Sequence, residues 1–70
     1  MNELTKVTVN LLPASMNALA QAVEVNEDTK TDTINRALQL YAAMTVKIAH
    51  GSRFIEIKPD GKTFEWTLEM

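Results

Sequence analysis

Lys6, Thr8 and Asn10 stand two residues apart near the start of the chain, each separated from the next by an apolar residue. An ammonium, a hydroxyl and a carboxamide in a row can donate and accept hydrogen bonds, which is the chemistry of recognition. A second polar cluster, Thr29-Lys30-Thr31, precedes a stretch of helical periodicity. At a helix start, unpaired backbone N–H groups and the positive end of the dipole favour an anion, and a lysine adds a full charge. Nothing comparable points to catalysis. The chain has no cysteine and a single histidine, His50, and it lacks a carboxylate pair, a nucleophile beside a base, or a Gly-rich phosphate loop. No enzyme, metal centre or cofactor is therefore expected. His50 reads as a helix C-terminal residue favoured by the dipole, not as a ligand or base.

The elements that must position these residues can be read in order. Thr5 to Leu11 alternates strictly, with Lys6, Thr8 and Asn10 on one face and Val7, Val9 and Leu11 on the other, which predicts a strand. Pro13 closes it and suits the first turn of a helix. From Ala14 to about Val25, Met16, Leu19, Ala20 and Val23 form one apolar stripe. Asn26 is the residue best suited to the left-handed turn that ends this helix. Thr29, three residues before Asp32, predicts a reciprocal capping box for a second helix. Along that helix Ile34, Ala37, Leu38, Tyr41, Thr45 and Ile48 share a stripe, Leu40 and Met44 widen it, and Gly51 ends it. Arg36 is placed to pair with Asp32 one turn away.

Residues 52–70 predict a β-hairpin around Pro59-Asp60-Gly61. A four-residue loop, Pro59 to Lys62, would set Ile57 opposite Phe64 and Ile55 opposite Trp66, gathering one apolar face. The same register would oppose Glu56 and Glu65 and leave Phe54 on the polar face, where an exposed aromatic suggests a contact surface for another protein or another dimer. A hairpin of this kind is marginal alone, so its apolar face is expected to pack on the helices or on a neighbour.

Seventy residues make one domain, and a monomer this short buries only about 60% of the surface its unfolded chain exposes. With no disulfide or metal available, association is the remaining route to stability. The opening MNELTKVTVN has neither the basic region nor the apolar run of a signal peptide, and no stretch is long enough for a membrane span, so a cytoplasmic protein is expected. Seven basic and nine acidic residues give a net charge of −2. Binding to a polyanion must therefore depend on where the cations sit, not on their total.

A lone strand followed by two amphipathic helices needs a partner, and two-fold pairing with its own copy supplies one. The runs Lys-Val-Thr-Val-Asn-Leu-Leu-Pro (6–13) and Thr-Lys-Thr-Asp-Thr-Ile-Asn-Arg-Ala-Leu-Gln-Leu-Tyr (29–41) resemble the ribbon-helix-helix pattern of the Arc and MetJ repressors, over roughly residues 5–46. The resemblance implies an α+β fold: an intertwined homodimer over residues 1–51, with residues 52–70 as a hairpin extension packing on the same domain. It also implies a transcriptional repressor that inserts a two-stranded ribbon into the major groove of double-stranded DNA. Carried over by position, Lys6, Thr8 and Asn10 would contact bases. Lysine suits guanine O6 and N7, asparagine suits adenine, and threonine suits either or a thymine methyl. Thr29, Lys30 and Thr31 would hold a phosphate. The alternative on the same fold is a protein-interaction module, antitoxin-like or of phage or plasmid type, with the hairpin engaging a partner protein. A purely structural dimerisation domain would not require three hydrogen-bonding side chains in succession.

Overall fold

The computed structural model describes residues 3–68; Met1, Asn2, Glu69 and Met70, the outer ends of the expected 1–51 and 52–70 regions, lie outside them. The chain is a small α+β protein in which two helices, α1 (Pro13–Asn26) and α2 (Lys30–Ala49), precede a two-stranded antiparallel sheet of β1 (Phe54–Ile57) and β2 (Thr63–Trp66). It divides into two compact units, Met1–Ile34 and Asn35–Met70, so that α2 crosses the boundary. No described helix is long and apolar enough to cross a membrane.

In the first unit, the expected strand over Thr5–Leu11 is not part of a sheet; both described strands follow the helices. A strand exists through its ladder, and no backbone hydrogen bond joins residues 3–11 to other described residues. Leu12 is extended and caps α1 without a side-chain bond, while Pro13 occupies the first turn, where its missing N–H costs nothing. The left-handed residue after α1 is Glu27 (φ 51°), not Asn26, which stays helical. The Asp28 N–H then donates to Val23 O at 3.2 Å, a Schellman-type ending. A residue with a Cβ is strained at this φ.

In the second unit, α2 ends as expected on Gly51 (φ 97°), with Gly51 N–H donating to Ile48 O at 2.9 Å and Ser52 N–H to Lys47 O at 3.0 Å. The hairpin register differs from the expected one. Phe54 pairs with Trp66, Ile55 with Glu65, Glu56 with Phe64 and Ile57 with Thr63. Turn chemistry decides this. Gly61 N–H donates to Lys58 O (2.8 Å), Lys58 N–H donates to Lys62 O (2.7 Å), and Gly61 has φ 86°. That is a type I turn followed by a glycine bulge, a three-residue loop in which Pro59 supplies the fixed φ of the first corner. Asp60 Oδ1 accepts the Lys62 N–H at 2.9 Å and braces the bulge.

The consequence is a redistribution of side chains. Phe54, Glu56, Phe64 and Trp66 share one face, and Ile55, Ile57, Thr63 and Glu65 share the other. Phe54 is therefore half-buried beside aromatic neighbours instead of lying exposed on a polar face. Glu56 and Glu65 do not oppose each other. Glu56 Oε1 accepts the Trp66 indole N–H at 3.0 Å, and the Arg53 guanidinium donates to Glu65 Oε1, from Nε at 3.1 Å. The Phe64 and Trp66 rings meet edge to face at 5.5 Å, and Lys58 Nζ lies 5.7 Å from the Phe64 centroid.

Among the described residues no hydrophobic side chain is buried. Thr33 is the only buried residue among those described, and its Oγ1 has no hydrogen-bond partner.

Two outcomes follow from these local geometries. Glu27→Gly should stabilise the protein by about 1 kcal/mol, read by urea denaturation at fixed protein concentration, because glycine relieves the left-handed strain. The hydrogen bond from Arg53, together with its charge, holds the Glu65 carboxyl below the ordinary carboxylate range. Its stabilising contribution is present above the unfolded-state pKa and is lost as pH falls through the depressed folded value. An NMR titration of Glu65 should show this depression, and Arg53→Gln should remove it.

Candidate nucleic-acid interface

The six residues singled out for recognition all belong to the first unit and are all exposed. Lys6, Thr8 and Asn10 lie in the segment before α1. The residues between them are equally open, with Val7 74% and Val9 64% exposed. Among the described residues, neither the polar row nor the apolar row of this segment is buried.

The other cluster opens α2 and is better ordered. Thr29 Oγ1 accepts the Asp32 N–H at 3.1 Å, the bond of an N-cap. The Thr29 carbonyl accepts the Thr33 N–H at 3.0 Å, the first bond of the helix. The reciprocal arm of the cap differs from expectation: Asp28 Oδ1, not Asp32, accepts the Thr29 N–H, at 3.0 Å. An aspartate one residue before the cap reaches that amide with a short side chain, so the task does not fall to Asp32. Asp28 and Asp32 therefore both bring negative charge to the helix N-terminus, where the dipole favours it.

This arrangement separates the duties of the cluster. Thr29 commits both its hydroxyl oxygen and its amide to the cap. Lys30 contributes the cation of the helix start, flanked in sequence by the two carboxylates. Thr31 occupies the second position of the first turn.

Two features escape a reading of the sequence. Asp28 as the partner of the Thr29 amide is signalled by the Asp-Thr pair itself, since aspartate readily bonds nearby backbone amides. The aromatic face of the hairpin, with Glu56 held by Trp66, follows once Pro-Asp-Gly is taken as a type I turn with a glycine bulge. No described group of three or more His, Cys, Asp or Glu residues is placed to hold a metal ion.

Comparisons with family models, with curated proteins and with solved structures yield no match for this chain.

The cap can be tested directly. Thr29→Ala should destabilise the protein by about 1 kcal/mol in denaturant unfolding, and Thr29→Ser should retain most of that stability, because only the side-chain oxygen is needed.

Proposed function

We propose that the chain acts as a ribbon-helix-helix regulator of transcription, a cytoplasmic homodimer that reads double-stranded DNA through paired Thr5–Leu11 segments. One observation carries this reading. The segment alternates like a half-buried strand, yet within its own chain it has neither a backbone partner among the described residues nor a packed apolar face. Antiparallel pairing with a second copy would satisfy its backbone and turn Val7, Val9 and Leu11 toward the helices. Lys6, Thr8 and Asn10 of both copies would then project together from the outer face of a narrow ribbon.

The apolar surface of α2 supports the same assembly. Leu38 is 63% exposed, and Leu40, Tyr41 and Val46 are also open. These are the residues a partner helix would cover. A dimer of this kind binds DNA through few cations, Lys6 on the ribbon and Lys30 at the start of α2. The amide of Lys30 and the dipole of α2 add a fixed partial charge toward phosphate. With Asp28 and Asp32 at the same helix end, affinity is modest and the salt dependence shallow.

The test is binding of the purified full chain to DNA fragments selected from a random pool, followed by anisotropy across a salt series. Lys6→Ala should reduce the slope of log K against log salt by about 2 per dimer, one unit per lysine removed. Asn10→Ala should leave the slope unchanged but lower discrimination between selected and random sequence, by about 1–3 kcal/mol for each base that the carboxamide reads. A folded dimer with no salt-sensitive affinity for any DNA would defeat the reading and leave the hairpin as the place to seek a protein partner.

A further inference from the structure

We propose that the outer edge of β2 pairs antiparallel with the same edge of a second copy of this chain, joining two hairpins into a four-stranded sheet. The inference is independent of the DNA reading and rests on the hairpin register. Lys58 and Lys62 form a hydrogen-bonded pair. The alternation of the ladder then makes Glu56–Phe64 and Phe54–Trp66 the bonded pairs, and turns the N–H and C=O of Thr63 and Glu65 away from β1. The sheet has two strands, so this edge is unpaired among the described residues. No proline or lysine protects it within Thr63–Trp66.

Side-chain chemistry selects the occupant. An antiparallel two-fold centred on Phe64 sets Phe64 against its own copy once, and Lys62 against Trp66 and Thr63 against Glu65 twice each. These are an aromatic pair, a cation over an indole, and a hydroxyl beside a carboxylate, with no like charges opposed. The half-open rings of Phe64 and Trp66, 49% and 53% exposed, become one continuous aromatic row. The β1 edge offers no such match. Centred on Glu56 it opposes two carboxylates, and shifted toward the turn it meets Pro59, which lacks a donor. The β2 contact adds on the order of four backbone hydrogen bonds. It is smaller than a standard interface, so it forms weakly and with rising concentration.

The absence of native cysteine makes the test direct. Opposed residues of a non-hydrogen-bonded pair place their Cβ atoms about 4.5–5.5 Å apart, near disulfide reach. Full-length Phe64→Cys gives up the central aromatic pair but keeps the backbone pairing and the Lys62–Trp66 contacts, and should therefore still form a covalent dimer in a glutathione redox buffer far faster than Glu56→Cys, the centre of the rejected edge. Adding Glu65→Pro removes an outward N–H and should slow that crosslinking at least about tenfold relative to Glu65→Ala, which loses the same ion pair with Arg53 but keeps the amide. Lys62→Glu, which places a carboxylate against the partner's Trp66 face, should slow it as well without altering the turn backbone. Equal rates for Phe64→Cys and Glu56→Cys, or crosslinking indifferent to both Glu65→Pro and Lys62→Glu, would overturn the proposal.

Discussion

Everything in this chain is arranged around apolar surface that it cannot bury by itself. Ordering the backbone costs roughly 1–2 kcal/mol per residue, and a large aliphatic side chain returns about 1.5–3 kcal/mol only when it leaves water. Leu38, Leu40, Val46, Val7 and Val9 all remain largely in water within the single chain. Neither a disulfide nor a described metal site is present to offset the deficit. Helix ends closed by Schellman-type bonds, a side-chain cap and a braced turn hold the elements locally. Local hydrogen bonds of this sort contribute about 1 kcal/mol each, too little to replace a core. What each element leaves uncovered is the surface that the proposed second copy would cover.

The hairpin shows how a short-range preference can outweigh a longer-range one. Grouping Ile55 and Ile57 with Phe64 and Trp66 needs an even loop, and hydrophobic patterning favours that arrangement. The observed loop is odd because Pro59, Asp60 and Gly61 each fit one position of a type I turn with a glycine bulge. A single-residue change in loop length exchanges the faces of one whole strand relative to the other. What results is not an apolar face and a polar face but an aromatic face and an aliphatic one. Each engages its carboxylate, Glu56 in a hydrogen bond from the neutral Trp66 indole on the first and Glu65 in an ion pair with Arg53 on the second.

Legibility in the sequence therefore follows the range of the interaction. Both helices are readable from periodicity, with Pro13, Thr29 and Gly51 marking ends that are governed by one residue's own φ or side chain. The end of α1 falls one residue later than its sequence suggests because Asn26 and Glu27 compete for the left-handed position, and intrinsic preference alone favours the loser. Spacing suggests Asp32 as the second arm of the cap, yet Asp28 is nearer to the amide in question. The Thr5–Leu11 segment is legible as an alternating pattern but not as an element. Alternation reports which side chains share a face, but a strand also needs a ladder partner, and no described segment of this chain pairs with Thr5–Leu11.

Charge ties these levels together. An acidic total of −2 would repel a polyanion if it were spread evenly, but screening limits exposed charges to about 10 Å of influence at 0.1 M salt. What counts is the balance within that radius. The hairpin acids Glu56 and Glu65 are engaged with Trp66 and Arg53 in the second unit, and Asp28 is committed to the Thr29 amide. Lys6, by contrast, stands in a segment whose neighbours on the polar face, Thr8 and Asn10, are neutral. On the proposed reading, a ribbon built this way would gain little from long-range attraction and much from the hydrogen-bonding pattern of its three side chains, which would favour selectivity between sequences over avidity for DNA in general.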